Sequence, residues 1–216
     1  MRRERAARTR LAILEAAAEV FDRRGYDAAT ISEILQVAGV TKGALYFHFD
    51  SKEAVALGVL DQQDQRLSVP PQSTKVQELV DTALVHAYRV RTDPVVRAGV
   101  RLSLGRWAGG ADPSGPFLRW REATSRLLRA AKENGELLPH VVPEESADVC
   151  VGAFAGVQSM SKALTGYADL DERAAALQRH LMPAICVPAL LDAIDFSPER
   201  GGRIGAALGE PARGAA

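Results

Sequence analysis

The stretch from Thr30 to Lys52, TISEILQVAGVTKGALYFHFDSK, has the pattern of two short helices joined by a tight turn. Thr30 and Glu33 have the spacing of a capping box, in which each side chain binds the other residue's backbone N–H at a helix start. Gly39 stands where a residue with positive φ ends a helix, a conformation that costs glycine little. Thr41 is a favourable N-cap for the next helix. The stretch therefore predicts a helix–turn–helix.

The second helix of this pair has an apolar side and a polar side. Ala44, Leu45 and Phe47 are predicted to face inward. The outward side carries a cation, a glycine and two hydrogen-bonding aromatics: Lys42, Gly43, Tyr46 and His48. Such residues suit contact with phosphates and base edges when a helix lies in the major groove of DNA. An ordinary helical hairpin with a solvated polar side has the same spacing, so the pattern alone leaves both interpretations open.

The flanking residues favour DNA binding. Five arginines against one acid make the first ten residues basic, and such an arm can reach phosphates or the minor groove. An amphipathic helix is predicted to begin at Leu11. Ser51 caps a fourth helix, whose Lys52 is expected to face backbone phosphates. The predicted DNA contacts are Thr30, Thr41, Lys42, Gly43, Tyr46, His48 and Lys52.

Beyond residue 60 the sequence predicts further helices and no strand pairs. These helices are predicted over 74–91, 93–106, 117–134, 143–164 and 169–193. Residues 105–116 are expected to form a loop, and Met182-Pro183 to break the last helix. The predicted fold is all-α. It comprises a three-helix helix–turn–helix DNA-binding domain over 1–50, a helical ligand-binding and dimerisation domain over 51–196, and a disordered tail over 197–216.

Composition excludes several classes of protein. With 27 basic and 27 acidic residues the chain is not a histone-like nonspecific binder, so DNA affinity must come from local charge. Charged residues follow Met1 where a secretory signal would be apolar, and Val149 to Val157 is too short to span a bilayer. We therefore expect a cytoplasmic protein without a membrane segment.

No chemistry of catalysis or metal binding is evident in the sequence. A nucleophile elbow, a P-loop and a dinucleotide-binding motif are all missing, so an enzyme is not expected. The four histidines are scattered, which predicts neither a zinc site nor any cofactor. Cys150 and Cys186 lie in apolar helical patterns and are expected to be reduced thiols packed in the core.

Small residues mark one possible subunit contact. Gly152 and Gly156, four residues apart on the helix from 143, would let another helix approach closely. Leu177 and Leu181 lie on the following helix. Two such helices from each of two subunits would form a four-helix interface, although packing within one subunit has the same pattern. A homodimer is favoured because helix–turn–helix proteins usually read two half-sites with two copies.

A ligand site is suggested by Trp120, on the apolar stripe of the helix over 117–134. A tryptophan at such a position is usually a core residue. A pocket would also need a few polar groups to orient a small molecule, and Gln63, Thr124 and Gln158 are the candidates. Each of the three fits equally well as an ordinary residue at the boundary of the core. The chain has more than 140 residues beyond the predicted DNA-binding helices, which argues against a DNA-binding protein without a ligand.

Several motifs resemble a known family. Residues 8–60, above all VTKGALYFHFDSKEAVALGVL at 40–60, resemble the DNA-binding domain of the TetR family of repressors. Further motifs resemble the γ-butyrolactone autoregulator receptors of Streptomyces and relatives: RAGVRLS at 97–103, RWREATSRLL at 119–128, AKENGELLPHVV at 131–142 and VGAFAGVQ at 151–158.

This resemblance implies a homodimeric repressor of antibiotic-production genes that leaves its double-stranded operator when a small lactone-type signal binds. It also implies that Trp120 roofs the ligand cavity and that Gly152, Gly156, Leu177 and Leu181 belong to the dimer interface. Lys42 is then the expected base contact, most simply with guanine. Relatives that respond to a butenolide or to an antibiotic share these features, so that alternative stays open.

Overall fold

The computed structural model describes residues 2–66, 68–104 and 115–208. These residues form eleven helices and no strand, with one isolated antiparallel bridge between Leu137 and Cys186. The helices are α1 (Arg2–Arg24), α2 (Ile31–Ala38), α3 (Lys42–His48), α4 (Lys52–Gln65), α5 (Lys75–Thr92), α6 (Pro94–Leu104), α7 (Gly115–Glu133), α8 (Pro143–Thr165), α9 (Leu170–Ile185), α10 (Pro188–Leu191) and α11 (Arg200–Ala207). Most of the loop predicted over 105–116 lies outside the described residues.

The chain forms two compact units rather than domains that meet at residue 50. The N-terminal unit comprises residues 1–66 and 92–117, and the C-terminal unit comprises residues 67–91 and 118–216. This division differs from the predicted boundary at residue 50, because α4 packs on α1 and α6, and α6 in turn packs on α1. Val55, Ala56 and Val59 of α4 are fully buried in the core of the N-terminal unit.

The N-terminal unit is built around the apolar side of α1. Ile13, Leu14 and Phe21 are fully buried and pack with residues from α2, α3, α4 and α6. Contrary to prediction, α1 begins at Arg2 rather than Leu11, and the Leu11 side chain is 40% exposed. Alanine and arginine favour helix, so the helix extends into the basic segment before its apolar side begins.

Two ion pairs hold α6 in the N-terminal unit. Arg97 Nε lies 2.6 Å from Asp22 Oδ2 and joins α6 to α1. Arg66 Nη1 lies 2.7 Å from Asp93 Oδ2 and joins the end of α4 to the start of α6. Asp93 also accepts from the Val95 N–H, as expected of the N-cap before Pro94.

In the C-terminal unit α8 packs along α9. The predicted break at Met182-Pro183 is wrong, since α9 continues through Pro183 to Ile185. Proline removes one N–H, and here it does so in the last turn, where little helix remains to be disrupted. The helix predicted to reach residue 193 instead ends at Ile185 and is followed by the short α10.

The tail predicted to be disordered from residue 197 contains α11, so that prediction is wrong over 197–208. Arg200 pairs with the fully buried Asp81 of α5, and Gly201 lies so close to the Leu84 carbonyl that a side chain would overlap it. These contacts depend on residues more than 100 positions away and cannot be read from a glycine- and alanine-rich composition. Residues 209–216 lie outside the described part of the chain.

Across the described residues, no helix combines the length and the apolar character needed to cross a membrane.

Candidate nucleic-acid interface and ligand site

The first helix of the helix–turn–helix begins and ends as predicted. Thr30 Oγ1 accepts from the Glu33 N–H across 3.2 Å, and the Glu33 carboxylate accepts from the Thr30 N–H across 3.1 Å. The Thr30 hydroxyl also donates to the Glu33 carboxylate across 3.0 Å, and this hydrogen bond together with that from the Thr30 N–H lowers the pKa of Glu33. Gly39 ends the helix at φ 64°, and its N–H donates to the Leu35 carbonyl. The capping box and the glycine turn are therefore confirmed.

The second helix, α3, presents its polar side to solvent. Thr41 Oγ1 accepts from the Ala44 N–H across 3.2 Å and caps the helix, while Leu45 is fully buried beneath it. Lys42 and Gly43 are exposed, and the Tyr46 side chain is 44% exposed. The Lys42 ammonium lies 5.8 Å from the centroid of the Tyr46 ring. A cation and an aromatic hydroxyl thus stand together on the uncovered face.

Phe47 was predicted to face inward, and the structure shows the opposite. Its side chain is 79% exposed, and its ring meets the half-buried His48 edge-on at 5.0 Å. Phe49, which ends α3 in an extended conformation, fills the core position instead. Leu45 and Phe49 have the four-residue spacing of one helix face, and that spacing could have identified Phe49. The outward face therefore gains an aromatic ring.

Lys52 does not project toward solvent as a phosphate contact would. Its ammonium donates to the carbonyls of Tyr26 and Ala29, across 2.9 and 3.0 Å, and lies 4.3 Å from the Tyr26 ring centroid. Lys52 therefore fastens the segment between α1 and α2 to the start of α4. Ser51 caps α4 as expected, because its Oγ accepts from the Ala54 N–H across 3.0 Å.

One face of α8 is apolar and uncovered. Gly152 and Gly156 are exposed, with open space where their side chains would lie. Along the same face the side chains of Val149, Met160 and Leu164 are 58%, 53% and 65% exposed. On the neighbouring α9, Leu177 and Leu181 are half-buried. The residues predicted for a dimer interface thus lie on two helices that pack against each other.

Three aromatic side chains meet inside the C-terminal unit. The half-buried Trp120 of α7 has its ring centroid 5.4 Å from that of His86 of α5, in an edge-on arrangement. Phe154 of α8 lies 5.1 Å from His86 on ring centroids. Thr124 is half-buried one turn after Trp120, and Gln158 is buried one turn after Phe154. Trp120 therefore belongs to an aromatic cluster. Two of the predicted polar residues, Thr124 and Gln158, lie on the helices that carry Trp120 and Phe154.

His86 was not singled out from the sequence. Its side chain is only 8% exposed, and burial lowers its pKa to about 4, so the imidazole is neutral at pH 7. Its Nε2 has no hydrogen-bond partner among the described residues. A seven-residue spacing from the buried Leu79 places it on the inward face of α5, and that spacing was the available signal.

Gln63 differs from the other predicted ligand residues. It belongs to the N-terminal unit, where it is 1% exposed and its carboxamide lies against Gly99. A side chain at position 99 would overlap it, so Gln63 fills the space that glycine leaves on α6. Its Nε2 has no hydrogen-bond partner among the described residues. Gln63 and Trp120 belong to different units, and the role of Gln63 in ligand binding stays a prediction.

The described residues contain no group of three or more histidine, cysteine or acidic side chains that could hold a metal ion. Cys150 and Cys186 are free thiols, half-buried and buried respectively. Burial raises the pKa of Cys150 to about 11 and that of Cys186 to about 12, which keeps both protonated.

Two protein-family models match the chain. Residues 13–59 match that of the bacterial regulatory proteins of the tetR family, and residues 73–188 match the tetracyclin repressor-like C-terminal domain. The chain belongs to the TetR family. TetR regulators bind operator DNA and small ligands, typically as dimers. The predicted family, the all-α fold with its two functional parts and the role of ligand-responsive repressor are therefore confirmed.

Individual relatives extend the similarity over most of the chain. The A-factor receptor protein of Streptomyces griseus is 43% identical over 188 residues, which are 87% of this chain and 67% of that protein. Full-length native TylP, a TetR regulator from Streptomyces fradiae, superimposes with a TM-score of 0.89 at 45% identity and covers 95% of this chain and 100% of its own. A γ-butyrolactone receptor described as ArpA-like superimposes with a TM-score of 0.68 at 29% identity, covering 94% of this chain and 99% of its own.

Proposed function

We propose that this TetR-family protein is a homodimeric, cytoplasmic repressor that a γ-butyrolactone-type signal releases from its operator, and that it controls genes for antibiotic or other secondary-metabolite production. The observation that carries the proposal is the extent of the similarity to the A-factor receptor, which includes the C-terminal unit. The next curated relatives match over only 54 to 64 residues, from 24% to 30% of the chain.

In this proposal α3 lies in the major groove. Lys42 contacts base edges, most simply the acceptors of guanine, and Gly43 lets the backbone approach closely. The exposed Phe47 ring makes apolar contact, for which the methyl group of thymine is the natural partner. The remaining outward residues hold phosphates: Thr30, Thr41, Tyr46 and His48. Lys52 is left out because two backbone carbonyls already bind its ammonium.

The uncovered face of α8 supports the homodimer. Val149, Met160 and Leu164 expose apolar surface beside two glycines, and burying such surface stabilises an interface by roughly 25 cal/mol per Å². Gly152 and Gly156 allow a partner helix to approach, and Leu177 and Leu181 extend the surface onto α9. To read two successive major grooves, the two α3 helices of such a dimer must lie about one DNA turn, ~34 Å, apart.

The signal molecule is proposed to lie against Trp120. The indole supplies a large apolar wall. Thr124 on α7 and Gln158 on α8 are the predicted polar residues of the site. The protein has one state that binds DNA and one that does not. For a decisive switch, the ligand must bind the second state more favourably than the first by about 3–5 kcal/mol. Ligand and operator then each lower the other's affinity by the same factor.

A Trp120→Ala variant tests this site, with Leu118→Ala as a matched control. Leu118 is 52% exposed on the same helix, so its truncation should alter neither folding nor signalling. The operator is first selected from random DNA with the wild-type protein, and release by γ-butyrolactones is followed by fluorescence anisotropy. Trp120→Ala should bind the operator normally and need about 30- to 150-fold more lactone for release.

The alternatives give different results. If Trp120 is only a core residue, the variant loses about 3–5 kcal/mol of stability, and operator binding is lost with the fold. If a butenolide or an antibiotic releases the wild-type protein and γ-butyrolactones do not, the protein is a pseudo-receptor and the proposed ligand class is wrong.

A further inference from the structure

His86 lies in the middle of α5 between two aromatic rings. Ring centroids are 5.4 Å away for Trp120 and 5.1 Å away for Phe154, so the imidazole stands between α7 and α8. Its side chain is more than nine-tenths buried, and its Nε2 has no hydrogen-bond partner among the described residues. A buried polar ring atom thus lies beside two aromatic rings without a hydrogen-bond partner among the described residues.

This arrangement is unfavourable for a residue whose only task is packing. A buried polar atom without a partner costs free energy, and most buried polar groups in folded proteins are hydrogen-bonded. A leucine at this position would pack between the two rings without that cost. Small-molecule sites, in contrast, combine apolar and aromatic walls with a few polar atoms that await the ligand.

We propose that His86 Nε2 is the hydrogen-bond partner of an uncharged oxygen, a hydroxyl or carbonyl, on the small molecule that lies against Trp120 and Phe154. The assignment rests on the proposed function, which places the signal beside Trp120. A neutral imidazole can donate to a carbonyl or accept from a hydroxyl, according to its tautomer.

The same environment defines the class of ligand. Burial lowers the pKa of His86 to about 4, so the ring brings no positive charge to the site at pH 7. A carboxylate placed against it would lose its hydration without gaining an opposite charge from the ring. His86 therefore selects an intact lactone over the hydroxy acid formed when water opens the lactone ring.

Two substitutions of His86 separate hydrogen bonding from packing. His86→Leu removes the polar atom, and His86→Gln keeps an amide that can donate or accept. The probe is a synthetic γ-butyrolactone with a hydroxyl on its side chain, compared with its deoxy analogue and its ring-opened acid. We expect His86→Leu to require about tenfold more lactone for operator release, with unchanged operator affinity, and His86→Gln to restore most of the response.

A measurement on the wild-type protein makes the test independent of how the variants fold. With ¹⁵N-labelled histidine, the lactone should shift the His86 Nε2 resonance while the ring stays neutral. If the hydroxyl is the partner, removing it should weaken release of the wild type and leave His86→Leu unaffected. If the carbonyl is the partner, removing the hydroxyl should change both proteins equally.

The outcomes distinguish this inference from the proposed function. Lactone release with an unmoved Nε2 resonance and an unchanged His86→Leu response overturns the role of His86 and leaves the proposed function intact. Stronger release by the ring-opened acid, or a protonated His86 in the complex, overturns the selection for uncharged ligands. A wild-type protein that no lactone releases overturns the proposed ligand class and this assignment together.

Discussion

Arg200 of α11 is paired with Asp81 of α5, whose carboxylate is completely buried. Arg200 Nη2 donates to Asp81 Oδ2 across 2.9 Å, and Gln77 Nε2 donates to Oδ1 across 2.7 Å. The same guanidinium reaches Asp195 Oδ2 at 3.1 Å. The hydrogen bonds of Arg200 to Asp81 and Asp195, and the charges of these two carboxylates, raise the pKa of Arg200. The last described helix is therefore fastened to the helix that carries His86.

Removing this guanidinium should destabilise the C-terminal unit. Arg200→Ala leaves the Asp81 charge buried without its cation, a change that typically costs about 3–5 kcal/mol. Arg203→Ala is the control, because Arg203 is exposed and its pair with Asp195 should contribute at most about 1 kcal/mol. Urea unfolding of both variants measures the difference. Equal free energies of unfolding for the two would show that α11 does not depend on the buried pair.

Lys42 and Lys52 should have different effects on DNA binding. Lys42→Ala should lower operator affinity by about 1–3 kcal/mol and relax the preference at one position of each half-site. Lys52→Ala should instead lower the free energy of unfolding by about 1–2 kcal/mol, because it removes two hydrogen bonds and a ring contact. Affinity measured against salt concentration and urea unfolding separate the two effects.

If Lys52 instead made the phosphate contact predicted from the sequence, the Lys52→Ala variant would be as stable as the wild type. The slope of log operator affinity against log salt concentration would then fall in magnitude by about one unit.

A charge placed on the uncovered face of α8 should prevent dimerisation. Gly156→Glu introduces a carboxylate into the proposed apolar interface, whereas Lys162→Glu introduces one at an exposed position on another side of the same helix. Sedimentation should show a folded monomer for the first variant and a dimer for the second. The monomer should bind a full operator far more weakly, because one subunit reads only one half-site. A dimeric Gly156→Glu variant would place the interface elsewhere.

Stability should fall with pH in a window set by His86. Its pKa is about 4 in the folded protein against an ordinary value near 6.5, so the unfolded chain binds more protons between these values. Stability is therefore lost as pH falls from about 6.5 toward 4, by about 3 kcal/mol in all. Hydrogen bonds from Ser161 and Thr165 lower the pKa of Asp169 to about 2, which places its effect below this window.

His86→Gln is the control for this window. Urea unfolding between pH 4 and 7 should show a flatter pH dependence for the variant than for the wild type. The same slope in both proteins would mean that His86 is not buried as described.

Local patterns in the sequence predicted the helix–turn–helix well. Thr30, Gly39 and Thr41 act within four residues of their partners, so spacing alone identified the caps of α2 and α3. Phe47 was misplaced because α3 has only seven residues, and the extended Phe49 after it fills the core instead. In so short a helix the apolar spacing does not settle which aromatic is buried.

Features that depend on distant contacts were not predicted. Arg200 was assigned to the disordered tail because its pairing with Asp81 is not evident from the sequence. Lys52 was assigned to a phosphate contact because its hydrogen bonds to the Tyr26 and Ala29 carbonyls are not evident either. His86 gave no signal beyond its spacing, because the Trp120 and Phe154 rings come from helices far along the chain. Long-range placement, rather than local propensity, decides these roles.

The most direct test of the proposed function follows the wild-type protein on its selected operator while a γ-butyrolactone is added. Fluorescence anisotropy reports the bound fraction, and sedimentation of the released protein reports its oligomeric state. The proposed function predicts complete release of an intact dimer. An operator complex unchanged at saturating lactone would contradict it.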